Sequence, residues 1–157
     1  MATRSGSLLG HDAGFTLIEL MVTIVIAAIL LSIAVPSYMN QIRKSRRTEA
    51  RTAVLDLATR EERYLSTANV YSQTPGDLGY GGAFPQSVGS GYYTLTVAVP
   101  DPAYAGPAGT SSYIITATAT GSQLKDTPCR TFSVNEVGQQ TASDASNGVS
   151  TTTCWGN

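Results

Sequence analysis

Charge and cysteine are both scarce in this sequence, and each shortage narrows what the chain can be. Asp, Glu, Lys and Arg make up 13% of the 157 residues and the net charge is −1, so no global field favours nucleic acid. Cys129 and Cys154 are the only cysteines, and the 24 residues between them are no metal-binding spacing. The only histidine is His11. The glycines of "GDLGYGG" precede no helical pattern, which a phosphate-binding loop requires. The carboxylates are scattered and pair with no candidate acid or metal ligand. These shortages argue against an enzyme and imply no cofactor.

What the sequence does have is one long apolar run, "GFTLIELMVTIVIAAILLSIAVP", from Gly14 to Pro36. A helix of the 21 residues from Phe15 to Val35 is roughly 30 Å long, the thickness of a bilayer's hydrocarbon core. Glu19 interrupts it. An ionised carboxylate in hydrocarbon costs on the order of 3 kcal/mol, and an intramembrane acid is a functional residue by default. The run contains no Lys, Arg or His, and its other polar side chains are the hydroxyls of Thr16, Thr23 and Ser32. The partner of Glu19 must come from elsewhere. The preceding residues, MATRSGSLLGHDAG, are small and polar, whereas a secretory signal places its small residues after an apolar centre. Any cleavage therefore precedes the helix.

The glycine, the aromatic residue, the spaced glutamate, the long apolar run and "VPSY" together resemble the type III signal of type IV prepilins and related pseudopilins. The resemblance implies a leader, residues 1–14, removed by a prepilin peptidase that cuts between Gly14 and Phe15 and methylates the new amine of Phe15. It also implies an assembly role for Glu19, paired with the terminal amine of a neighbouring subunit, and places Pro36 in the assembly segment; the alternative for Glu19 is an acid at the headgroup level near the segment's N-terminal end, where it favours the helix dipole. A carboxylate paired with an amine recovers Coulomb energy that an isolated buried charge lacks. The sole histidine would leave with the leader, so the mature chain would hold none for zinc or for a Ser/His base.

Past Pro36 the helical period continues. Ala50, Val54, Leu57, Ala58, Glu61, Tyr64 and Leu65 recur at spacings of three and four and form one stripe on a charged helix. Pro36 removes a donor and is expected to bend the helix, which runs from Phe15 to about Leu65. Arg43, Lys44, Arg46 and Arg47 read either as a solvated face or as an anion site. Under the positive-inside rule they would stay cytoplasmic, whereas pilins place this side outward. Residues 66–91 are rich in Gly, Ser, Pro and Tyr and read as a surface connection. Tyr93, Leu95, Val97 and Val99 alternate with polar or small residues, as do Tyr113, Ile115, Ala117 and Ala119; "CRTFSV" and "QQTA" supply two more strands. The expected fold class is α+β: a long N-terminal helix packed on a four-stranded antiparallel sheet, the pilin lollipop, with a C-terminal disulfide loop.

The divisions expected are a membrane and filament-core helix over 15–42 and a globular head over 43–157. The head comprises an amphipathic helix (43–65), the connection (66–91), a sheet (92–142) and a disulfide region (129–154). Two cysteines at this spacing read best as a disulfide, which closes a loop worth about 3 kcal/mol and implies an oxidising compartment. "CRTFSVNEVGQQTA…CW" is similar to the tail of PilE-like and ComP-like pilins, where the bridge encloses the C-terminal loop. Trp155 reads as a packing anchor beside it.

The leading functional expectation is a major or minor structural subunit of a type IV pilus serving adhesion, twitching motility or DNA uptake. The resemblance implies as partners other pilin subunits, the prepilin peptidase and methyltransferase, an inner-membrane assembly platform, and membrane lipid before assembly. It implies a single-pass inner-membrane location and then an extracellular filament of a Gram-negative bacterium. The alternatives are a DNA-binding competence pilin and a type II secretion pseudopilin, the latter a poor match to the C-terminal loop. DNA is the lesser expectation, because beyond Arg63 only Lys125 and Arg130 stand against Asp77, Asp101, Asp126, Glu136 and Asp144.

Overall fold

The computed structural model describes residues 14–101 and 112–156. Apart from Gly14, the expected leader lies outside the described residues. Helix α1 runs from Leu17 to Ala68 with Pro36 inside it. It stops where Asn69 takes a left-handed conformation (φ 58°) and its N–H closes back on the carbonyl of Leu65 at 2.8 Å, a C-terminal cap that Asn tolerates.

By its contacts the chain divides into two units, Met1–Met39 and Asn40–Asn157. In the first, every described residue from Gly14 to Tyr38 is exposed. Two hydroxyls within its apolar run are satisfied by the helix itself: Thr23 Oγ1 donates to the carbonyl of Leu20 at 2.8 Å and Ser32 Oγ to that of Ile29 at 2.7 Å. Neither hydroxyl therefore needs water, and the segment is long and apolar enough to cross a membrane.

The second unit holds an antiparallel meander of five strands in sequential order: β1 (Gln86–Val88), β2 (Tyr93–Ala98), β3 (Ile114–Ala119), β4 (Thr131–Asn135) and β5 (Gln140–Ser143). Four strands were expected. The extra one, β1, lies inside the stretch read as a connection, and at three residues it is too short to display a strand period. It is held in place from the helix. Glu49 accepts hydrogen bonds from the Ser90 N–H at 3.0 Å and the Ser90 hydroxyl at 3.2 Å, fixing the turn into β2. Gly89 in that turn has φ 49°, and a Cβ there would stand 2.5 Å from the Glu49 carboxylate. A short helix, α2 (Thr151–Trp155), was also not anticipated.

One face of the sheet buries Tyr93, Leu95, Val97, Ile115, Ala117, Phe132 and Val134 beneath Ala50, Val54 and Leu57 of α1. The period of two in the strands and the period near 3.6 in the helix meet in a single core. The other face carries Thr94, Thr96, Thr116, Thr118 and Ser133, with Thr116 and Ser133 hydrogen-bonded at 3.0 Å across β3 and β4.

Candidate functional site

At the N-terminal end residues 14–16 carry no regular secondary structure, and α1 opens at Leu17. Thr16 starts it: its carbonyl accepts the Leu20 N–H and its hydroxyl accepts the Glu19 N–H, both at 3.2 Å. Thr16 is therefore the N-cap and Glu19 the third helical residue, where a carboxylate also complements the helix dipole. The Thr-x-x-Glu spacing is that of a capping box, a local signal present in "TLIE". Glu19 is exposed and no ion pair engages it among the described residues. Phe15, 81% exposed, lies beside it in sequence.

In the globular unit, the basic run divides by role. Arg47 is buried, which corrects its assignment to a solvated face or an anion site. Its Nε and Nη2 donate to the two oxygens of Asp126 at 2.8 and 2.6 Å, and the hydrogen bond to Asp126 raises its pKa above the ordinary value. Asp126 follows the 3-10 turn Gly121–Lys125, whose Gln123 is fully buried and donates to Tyr93 Oη, Asp126 Oδ2 and the Arg43 carbonyl. Cys129 and Cys154 are bonded to each other, fastening α2 to the start of β4. Trp155 packs edge-on against Phe132 at 5.8 Å, donates from Nε1 to the Thr141 carbonyl, and receives Arg51 Nη1 on its own carbonyl at 3.1 Å. It is a packing anchor.

Residues 36–133 match the family model described as type IV minor pilin ComP, DNA uptake sequence receptor, and residues 10–35 match the prokaryotic N-terminal methylation motif. The chain belongs to the ComP-like type IV pilins. Among similar proteins, the type IV major pilin protein PilA of Myxococcus xanthus is 36% identical over 70 residues, which is 45% of this chain and 32% of that one. Two fimbrial proteins of Pseudomonas aeruginosa are each 39% identical over 89 residues, 54% of this chain and 58% of theirs. The pilin thus spans between a third and three fifths of these relatives. A solved type IV pilin from Shewanella oneidensis aligns with TM-score 0.44 and 19% identity, covering 62% of this chain and 89% of that one. The relatives it matches are pilins and fimbrial proteins.

The pilin also buries an acid where its helix meets the segment after it. Glu61 is fully buried. Its Oε2 accepts the Ser72 N–H at 3.1 Å, and its Oε1 has no hydrogen-bond partner among the described residues. Ser72 Oγ donates to Asp77 at 2.6 Å, while Glu62 accepts the hydroxyls of Tyr71 and Tyr113 at 3.1 and 3.3 Å. Loss of water pushes the Glu61 carboxyl up to about 7, opposed by the Ser72 hydrogen bond and reinforced by the charges of Glu62 and Asp77. Between the ordinary carboxyl value of 4.5 and about 7, the folded chain holds a proton that the unfolded chain has released. Stability should therefore be full below pH 4.5 and fall as pH rises through 7, by about 3 kcal/mol in all. Glu61→Gln keeps an acceptor for Ser72 and should remove this decline. Urea midpoints of both chains on the acid and alkaline sides of the window check it; an equal decline in both would assign the pH dependence elsewhere.

Proposed function

We propose that this chain is a subunit of a type IV pilus, inserted in the membrane by its N-terminal helix and then packed by that helix into a filament. The observation that carries the reading is the unbroken exposure of Gly14 to Tyr38, an apolar surface with no cover among the described residues. Membrane lipid covers such a surface first and neighbouring helices cover it afterwards; a repeated, non-closing contact of this kind generates a helical polymer. Maturation would remove residues 1–14 by cleavage after Gly14 and methylate Phe15, handing the new amine to Glu19 of an adjoining subunit. The peptidase, the assembly platform and the bacterial inner membrane belong to the same proposal.

The test is direct. Mass spectrometry of the assembled protein should show a methylated Phe15 terminus, and Gly14→Ala should leave uncleaved precursor in the membrane. Met1 retained in assembled material would refute the processing. Loss of piliation on deletion, as opposed to loss of secretion, separates a pilus subunit from a pseudopilin.

A second reading, DNA reception on the filament, is favoured by the description of the matching family, which concerns a DNA uptake sequence receptor. The outer face of the sheet offers hydroxyls and no Lys or Arg, so DNA would have to be held elsewhere on the head. Duplex binding by the full chain and its salt slope decide between an uptake role and a purely structural one.

A further inference from the structure

Beside the Arg47–Asp126 pair lies a groove of about 300 Å³ with walls from two parts of the chain: Asn40, Arg43 and Lys44 on α1, and Lys125 and Thr127 at the 3-10 turn. Its one carboxylate is already neutralised, because Asp126 is held by both nitrogens of Arg47. Among the described residues the remaining cations pair with no acid. Arg43 donates to the amide oxygen of Asn40 at 2.8 Å, and neither Lys44 nor Lys125 makes an ion pair among the described residues. Both lysines are exposed. Their convergence is fixed by the fold: Arg46 donates to Ser122 Oγ at 3.2 Å while its guanidinium stacks 3.4 Å from the Tyr92 ring centroid, and Arg47 grips Asp126. The turn that carries Lys125 is thus tied to the helix by two arginines, and three like charges face one groove. Like charges held together repel unless an anion enters.

The chain indicates which anion. Arg43 follows Val35, the end of the apolar run, by eight residues, about 12 Å of helix, and long basic side chains reach back toward a headgroup layer. We infer that the Arg43–Lys44–Lys125 groove holds the phosphate of an anionic phospholipid in the leaflet from which the head emerges, before the subunit leaves for the filament. This inference rests on the membrane insertion proposed above. It also gives the basic run a use that a solvated face does not, since each near-surface cation favours an anionic bilayer by about fivefold in binding.

The test uses the full chain reconstituted in vesicles of phosphatidylcholine alone and of an equimolar mixture with phosphatidylglycerol. Carbonate-resistant flotation in both reports insertion itself, so failure there refutes the insertion reading and is distinguishable from failure of the groove. After mild detergent extraction, native mass spectrometry counts the lipids retained. Wild type should retain phosphatidylglycerol over phosphatidylcholine by about a hundredfold, Lys44→Gln/Lys125→Gln, which leaves Arg43 alone, by only about fivefold, and Lys44→Arg/Lys125→Arg should keep the wild-type preference. A wild type without preference, or a preference undiminished in the glutamine pair, overturns the inference. Displacement of the lipid by inorganic phosphate at constant ionic strength would make the groove a free-phosphate site, and displacement by a short DNA duplex would assign it to nucleic acid; either result also overturns it.

Discussion

Asp126→Ala should lower the unfolding free energy of the globular unit by about 3–5 kcal/mol, the cost of leaving one member of a buried ion pair unmatched. The side chain of Arg47 is only 11% exposed, so its guanidinium cannot recover in water what it loses with both carboxylate oxygens. Gln123 loses an acceptor at the same time. Urea denaturation followed by Trp155, the single tryptophan, measures the loss. The double variant Arg47→Met/Asp126→Leu should recover much of it, because apolar replacement of a buried pair is often neutral or stabilising. If the single and double variants were equally unstable, packing around the 3-10 turn, and not the stranded charge, would be the cause.

That pair also marks the limit of what the sequence discloses. The helix and the central strands were legible because their signals are periodic: Ala50, Val54 and Leu57 repeat at three and four, and Tyr93, Leu95 and Val97 at two, and the structure buries all six. Glu61 fell in the helical stripe, and its burial follows from its position one turn beyond Leu57. Its partner was not legible. The Ser72 N–H reaches it only because the chain doubles back after Asn69, a conformation that no local pattern encodes. Arg47 and Asp126 lie 79 positions apart, so nothing in a run of four basic residues distinguishes the one that is buried from the three that are not. Strand β1 has three residues and α2 five, three of them threonines of modest helix propensity, so both owe their existence to tertiary contacts: Glu49 on the turn after β1, the disulfide and Trp155 on α2. At the N-terminus the opposite happened. "TLIE" announces a helix start in plain local terms, and an acid near the N-terminal end complements the helix dipole there.

Because Glu19 stands at the helix start and is proposed to dock the subunit, its substitution is the most demanding experiment on the assembly reading. Glu19→Leu should insert into the membrane at least as well as wild type, because an expensive charge has gone. The helix start should survive, since Thr16 caps the backbone N–H of residue 19 whatever the side chain, and only a dipole interaction of about 0.3–1 kcal/mol is lost. Assembly should nonetheless fall by at least about tenfold, because the amine of Phe15 would enter a low-dielectric bundle with no counter-charge, an effect several times larger than the cap can supply. Thr16→Val provides the control. It removes the capping hydroxyl at a cost of about 1 kcal/mol while keeping the carboxylate, and should assemble almost normally. The comparison is the ratio of sheared filament to membrane pool in strains whose only copy is the variant, with Phe15 termini verified in both. Normal incorporation of Glu19→Leu would reduce the acid to a helix-start residue, and a matching defect in Thr16→Val would show that assembly depends on how the helix begins and not on the charge.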